Sequence, residues 1–364
     1  MVEKDSEPTQ KSMFKDGVLD IEKDSEYVSR MRKARRIVYI ILGVSLAIFI
    51  IIAALAIINE GVSRFINTVD SINLIYYFYA FVVLFVGYLM RFPKWEMYLD
   101  TLKVRLRRWD SLAIYLSMYS MDITPGRWGR GVVSYTINRL TGVKFAKTFP
   151  AVVADIFTDF LGFGILAIVS AFFVQKYVLL SIIITAILLL PFVFLYIKGP
   201  FEFIKKKWAR FKKLRVFFEV GELYFKENKR LGKKDYLYSI LFTLPSVILT
   251  GFALYFVILA FGVHIGPAQI PIVMFIYSSS LLFGIVTGAP ATLGVTDAAL
   301  VSYLTFFFPG MGMTFGLAAA ITIFFRIVSV WFVQGFGSVA LFYTMKHWRL
   351  PKTGSVSGGS LQRK

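Results

Sequence analysis

Pro125-Gly126-Arg127-Trp128-Gly129 and Pro290-Ala291-Thr292-Leu293-Gly294 put helix breakers into a chain that is otherwise strongly apolar. Each stretch follows an apolar run, and each is trailed by Val-Ser-Tyr, at Val133–Tyr135 and Val301–Tyr303. A further apolar segment then carries charge: Asp155 and Asp159 after the first stretch, Arg326 after the second. Proline removes a backbone donor and glycine lowers helix propensity, so both stretches interrupt helices. Broken helices at corresponding positions of two halves are a strong sequence-level pointer to a transporter-like substrate site.

The composition fits that reading. Hydrophobic residues make up 57% of the 364 and the mean hydropathy is +0.66, above the roughly 45–50% apolar content of soluble domains. Six segments approach the ~20 apolar residues that a membrane-spanning helix needs: Ile37–Ile58, Asn73–Met90, Phe149–Phe173, Tyr177–Ile197, Leu237–Gly262 and Thr314–Tyr343. Two shorter runs, Ser111–Met121 and Ala298–Phe308, are only 11 residues long. Each is expected to belong to a re-entrant hairpin whose tip is the Pro-Gly stretch: Pro125, Gly126 and Gly129 in one, Pro290 and Gly294 in the other. The expected fold is an all-α polytopic membrane protein of about six full transmembrane helices plus two re-entrant hairpins forming an inverted repeat. Eight ordinary transmembrane helices are the alternative.

Charge sets the orientation. Of the 41 Lys and Arg, all but Arg64, Lys176 and Arg326 fall in segments assigned to the cytoplasmic side or its interface. That bias places both termini in the cytoplasm. It also explains the net charge of +19 as a property of the membrane boundary, so no nucleic-acid partner is implied. The resulting layout has a polar segment 1–36 and a transmembrane domain 37–345. Within the domain lie one repeat at about 73–174, a basic segment 198–235 and a second repeat at about 237–345. A flexible tail, 346–364, follows. Span, hairpin, span recurs with opposite orientation. In the basic segment, Ile204, Trp208, Phe211, Leu214 and Phe218 recur at helical spacing among lysines and arginines. This predicts an amphipathic helix on an anionic lipid surface. The high aromatic content and absence of cysteine suit a prokaryotic plasma membrane.

Asp155 and Asp159 are four apart and share a helix face. A lone charge at mid-depth costs at least ~2.5 kcal/mol, so such a pair signals function or a partner. Proton carrier, cation ligand and counter-ion all fit. Arg326 needs an anion, from Asp155, Asp159, Asp297 or a substrate headgroup. Arg127 and Arg130 are phosphate candidates, since arginine forks onto phosphate oxygens; anchoring the inner interface is the other role open to them. Thr296 is a plausible N-cap and Asp297 lies in the first turn after it, where the carboxylate either caps the helix or weakens an anion site there. No Walker loop or catalytic triad is present, and His264 and His347 lack metal-ligand neighbours at suitable spacing. No cofactor and no metal are therefore expected.

The stretches 125–173 and 289–342 resemble the membrane domain of lysylphosphatidylglycerol synthases and its stand-alone, flippase-like relatives. That family carries Pro-Gly-x-x-Gly-Glu, then Glu-Arg with a following Asp, then Pro-Gly-Gly-Leu-Gly-Val-Arg-Glu-Ala and a final arginine. Pro125, Gly126 and Gly129 match the first motif, with Arg130 at the Glu position. Asp155 and Asp159 resemble the acidic pair, with Ile156 replacing the arginine between them. Pro290, Leu293, Gly294, Val295 and Ala298 match the last motif, with Thr296 for Arg and Asp297 for Glu, and Arg326 matches the final arginine. The resemblance implies handling or translocation of polar lipids. The soluble aminoacyl-transfer domain of full-length synthases has no counterpart in the sequence.

The leading expectation is therefore a flippase-like protein whose substrate-binding residues are Arg127, Arg130, Asp155, Asp159, Thr296, Asp297 and Arg326. Two alternatives remain open. One is a membrane-embedded transferase holding Mg²⁺ through the Asp155-x-x-x-Asp159 spacing. The other is a non-transporting partner of an envelope complex.

Overall fold

Asn73 opens the first long helix. Its side-chain oxygen accepts from the N–H groups of Ile75 and Tyr76, at 3.0 and 3.4 Å, satisfying donors that a helix start leaves free. The computed structural model describes residues 69–174, 178–208, 215–287 and 292–347, with five single positions between 47 and 58. The segment 1–36, most of the expected span Ile37–Ile58, Pro290 and the tail beyond 347 lie outside the described residues.

Helix α1 (Leu74–Met90) turns at Arg91 and continues as α2 (Phe92–Thr101), with Pro93 in the first turn where its missing N–H is tolerated. The two form one stretch of 28 residues. The expected span ended at Met90 because Arg91 and Lys94 read as interface charges. Instead they are 1% and 0% exposed, and the stretch runs on past them. Their charges are paired inside the protein and so do not stop it.

A broken pair follows. Helix α3 (Arg108–Ser117) tightens into a 3₁₀ turn (Met118–Met121), and a second 3₁₀ segment (Pro125–Gly131) leads into α4 (Val132–Thr141). Helix α5 (Phe145–Val174) follows and is 30 residues long. It packs against α2, α4, α6 (Val178–Tyr196), α8 (Arg215–Asn228), α9 (Lys233–Ala260) and α10 (Ile270–Val286). Its small residues, among them Ala151, Ala154, Ala167 and Ala171, are buried and let neighbouring helices approach closely. The second broken pair is α10 and α11 (Val295–Phe307), packed along each other. Helix α12 (Phe315–Arg326) then passes through a π-helical segment (Ile327–Phe332) into α13 (Val333–His347).

No strand occurs among the described residues. Five helical stretches are long and apolar enough to cross a membrane: Leu74–Thr101, Phe145–Val174, Lys233–Ala260, Pro267–Val286 and Phe315–Thr344. The chain is an all-α polytopic membrane protein. One of the five was absent from the expected spans. Pro267–Val286, 20 residues, was read only as an apolar run before the second break. The two broken pairs are thus unequal, since neither limb of the first is as long as α10.

The basic segment also differs from expectation. It holds two helices, α7 (Lys198–Trp208) and α8, rather than one; residues 209–214 lie outside the described residues. Phe218, expected on a lipid-facing stripe, is 4% exposed and meets Phe201, which also packs on Phe225. Tyr224 carries the contact on to Phe149 of α5. Part of the apolar stripe is therefore spent on the protein itself.

Helix α13 rests on the Met118–Met121 turn at Gly337. A Cβ there would lie 2.5 Å from Ser120 N and 3.0 Å from the Tyr119 carbonyl carbon, both rigid backbone. Gly337→Ala should destabilise the protein by about 1–3 kcal/mol, the usual cost of overpacking. Gly335→Ala, whose Cβ meets nothing within 4 Å, serves as the control. Thermal unfolding in detergent should show a lowered Tm for Gly337→Ala alone.

Candidate functional site

Charged side chains from two elements converge on α5. Asp155 and Asp159, one turn apart, are both 0% exposed, and neither could stay ionised there unpaired. Asp159 Oδ2 accepts from Arg91 Nη1 at 3.0 Å and from Arg130 Nη1 at 3.1 Å, and Arg127 Nη1 lies 3.4 Å away. Asp159 Oδ1 accepts from Lys94 Nζ at 2.7 Å. Asp155 Oδ2 accepts from Arg130 Nη1 at 2.7 Å, while its Oδ1 makes a 3.0 Å ion contact with Lys94 that lacks hydrogen-bond geometry.

Further hydrogen bonds are made nearby, although Arg91 Nη2 is buried without a partner. Lys94 Nζ also donates to Thr158 Oγ1 and Thr243 Oγ1, both at 3.2 Å, and Arg91 Nε donates to Ser246 Oγ. Arg130 forks onto Asp122, with Nη2 to Oδ2 at 2.8 Å. Aromatic faces complete the shell, with the Arg130 guanidinium 4.8 Å from the Tyr119 ring centroid and that of Arg91 5.1 Å from Tyr88. Sequence places these groups for a simple reason: Tyr88, Arg91, Lys94, Trp95 and Tyr98 recur at three- and four-residue intervals, so one face runs through the α1–α2 turn.

A second, smaller cluster sits at the other break. Arg326, 2% exposed, donates through Nε to Asp297 Oδ1, and its Nη2 donates to the Thr292 carbonyl at 3.3 Å. Asp297 Oδ2 takes the N–H of Gly294 at 2.7 Å, which closes the start of α11. The carboxylate thus caps the helix and neutralises Arg326 together. Gly284 makes this packing possible, because a Cβ there would lie 1.9 Å from Thr296 Oγ1 and 2.7 Å from Thr292 Cβ.

A cavity of about 60 Å³ lies where the two breaks meet. Asp122 and Arg127 reach it from the first pair, Thr292 and Thr296 from the second, and Arg326, Ser329 and Gln334 from the last helix; Leu84, Leu281, Leu300 and Phe325 supply apolar wall. Thr296 Oγ1 and Ser329 Oγ are buried there without a hydrogen-bond partner. Ser329 belongs to the π-helical segment, a backbone form often found at functional sites.

The expected residues therefore fall into two groups. Arg127, Arg130, Asp155 and Asp159 form one, and Thr296, Asp297 and Arg326 the other, with Arg127, Thr296 and Arg326 on the cavity wall between them. Of the tip residues, Gly129 accommodates the Thr124 side chain, whose Oγ1 accepts its N–H at 2.7 Å, and Gly294 holds a φ of 84°. Arg130 is wholly buried among Asp122, Asp155 and Asp159. Arg91, Lys94 and Asp122 escaped sequence reasoning. The signal that could have found the first two was the aromatic-basic face, at the three- and four-residue spacing just described, that continues past the apparent end of the span. Asp155 and Asp159 are engaged by cations, and among the described residues no group of three His, Asp or Glu is arranged to hold a metal ion.

Asp159→Asn would leave four cations facing two carboxylates, and breaking a buried pair costs about 3–5 kcal/mol. Adding Lys94→Met should recover part of that loss, because it removes the charge left unpaired. Thermal unfolding of the two single variants and the double variant should give a non-additive cycle; strictly additive losses would contradict the coupling.

No curated protein matches the chain. A family model does: the one described as the lysylphosphatidylglycerol synthase TM region matches residues 40–337, which include both breaks, both charge clusters and the cavity. The chain belongs to the family of lysylphosphatidylglycerol synthase transmembrane regions.

Proposed function

We propose that this protein binds a polar lipid or lipid-linked precursor and moves its headgroup between the two leaflets. The observation that carries the reading is the cavity between the two broken helix pairs, with Arg127 on one side and Arg326 on the other. In this reading both termini lie in the cytoplasm of a prokaryotic cell. The α3–α4 pair enters the plasma membrane from the cytoplasmic side and the α10–α11 pair from outside, as inverted repeats do. The headgroup passes between the two tips, where polar partners replace water. The acyl or isoprenoid chain stays in the bilayer, and the basic α7–α8 segment rests on the anionic inner surface. Family membership adds a lipid-handling context. The transferase alternative is weaker, because the carboxylates it assigns to Mg²⁺ are turned onto Arg91, Lys94 and Arg130.

Leaflet exchange of a labelled phospholipid in proteoliposomes tests the proposal. The wild type should accelerate exchange over protein-free vesicles. Arg326→Ala and Asp155→Asn should each slow it by about tenfold or more, the scale of a lost charge-assisted contact. Absence of any acceleration, across several headgroups and with an imposed proton gradient, would sink it.

A further inference from the structure

We infer that the cavity between the two breaks is a resident site for one small monovalent anion, chloride in a cell, held by Arg127 and the hydroxyls of Thr296 and Ser329. The inference rests on the charge and the donors around the cavity and is independent of whether a lipid moves. In the larger cluster, Arg91, Lys94, Arg127 and Arg130 face Asp122, Asp155 and Asp159, so among the described residues four cations meet three carboxylates. The smaller cluster leaves that balance unchanged, because Asp297 neutralises Arg326. One positive charge is left over, in surroundings where an uncompensated charge is costly.

Arg127 carries it. Its ion contacts are the longest of the four, 3.4 Å to Asp159 and 3.8 Å to Asp122, and its side chain is 11% exposed where the other three are 0–1% exposed. Its guanidinium lies 5.7 and 5.5 Å from the ring centroids of Phe160 and Phe163, which favours the cation without neutralising it. Of the four cations, Arg127 alone lines the cavity.

Two further donors reach the same space. Thr296 is 2% exposed, and its Oγ1 and the buried Oγ of Ser329 have no hydrogen-bond partner. An unsatisfied buried hydroxyl is costly until an acceptor reaches it. Thr296 also stands in the first turn of α11, whose N-terminus adds partial positive charge. Arg326 on the same wall offers guanidinium N–H groups without adding net charge. Asp122, also on the wall, is turned onto Arg130 at 2.8 Å, which offsets its repulsion of an anion.

Size and charge set the class of ligand. A cavity of about 60 Å³ has room for a few water-sized groups, so a halide fits there with accompanying water. It brings one negative charge and cancels the one left over. A divalent oxyanion such as sulfate would leave net negative charge beside Asp122, and the apolar wall of Leu84, Leu281, Leu300 and Phe325 penalises its dehydration. Water alone would satisfy the hydroxyls but leave Arg127 uncompensated.

Bromide serves as the probe, since it scatters anomalously. A crystal of the full-length protein grown in sodium bromide should show a bromide in the cavity, in contact with Arg127, Thr296 and Ser329. In detergent, at constant ionic strength so that screening is unchanged, replacing gluconate by chloride should raise the Tm saturably, as a ligand of the native state does. Sulfate should not. Arg127→Gln should raise the half-saturating chloride concentration by about tenfold or more, the scale of a lost charge-assisted contact. Ser329→Ala leaves every ion pair intact and should raise it several-fold, so the test survives misfolding of the arginine variant. Lys205→Gln, which removes a surface charge paired with Glu222, should leave the response unchanged. Bromide confined to the surface, an equal response to sulfate, or an unchanged chloride response in both Arg127→Gln and Ser329→Ala overturns the inference. Leaflet exchange separates the two proposals. A bromide-filled cavity in a protein that exchanges no lipid upholds the anion site and sinks transport, whereas exchange with no bromide in the cavity overturns the anion site alone.

Discussion

Asp159 is the carboxylate on which the first half of the molecule depends. It is fully buried, and Arg91, Lys94, Arg127 and Arg130 all approach it within 3.4 Å. An isolated carboxylate there would carry a heavy desolvation penalty, and so would each cation alone. Brought together, with Asp155 and Asp122 completing the set, they become tolerable to one another. The constraint is geometric as much as energetic. The α1–α2 stretch, the first broken pair and α5 must adopt one mutual placement, because any other strands a charge in apolar surroundings. Hydroxyls of Thr243 and Ser246 on α9 extend the same constraint to a fourth element.

The second break is organised more economically. Asp297 serves Arg326 and the Gly294 N–H together, so that tip is nearly self-sufficient. Its placement against α10 depends on steric fit, through Gly284, rather than on charge from elsewhere. One side of the cavity is therefore held by a long-range ionic network and the other by local capping and close packing. Where the two meet, Arg127 is the most loosely held member of the network, with ion contacts of 3.4 and 3.8 Å. The π-helical segment places a buried, partnerless hydroxyl on the same wall.

The burial of Arg91 and Lys94 changes how the basic residues of this chain are understood. Most cationic side chains still suit a membrane boundary, where their heads reach water. These two, with Arg130, belong to the interior instead. Their neighbours differ in kind, since Trp95, Tyr98 and Tyr119 around them are themselves buried. An aromatic belt at an interface and an aromatic shell around a buried ion network share the same residue types. Only the position of the carboxylates distinguishes them.

Sequence alone determined the helical, multi-pass class, because runs of about 20 apolar residues leave a bilayer-spanning helix as the available structure. It also located both breaks from Pro125-Gly126 and from Gly294, and singled out Asp155, Asp159, Asp297 and Arg326 as charges in need of partners, since local chemistry suffices for each. The partners themselves were another matter. Arg91 and Lys94 are more than 60 residues from the aspartates they meet, and nothing local tells an arginine at the end of an apolar run that a carboxylate awaits it. Helix α10 was read only as the apolar run leading into the second break, yet it belongs to a helical stretch of 20 residues, Pro267–Val286. Tertiary structure decided that Asp297 rather than Asp155 neutralises Arg326, and that Arg127 and Arg326 share a cavity. Both outcomes depend on which helix faces pack together, and burial and charge pairing across the whole chain settle that jointly.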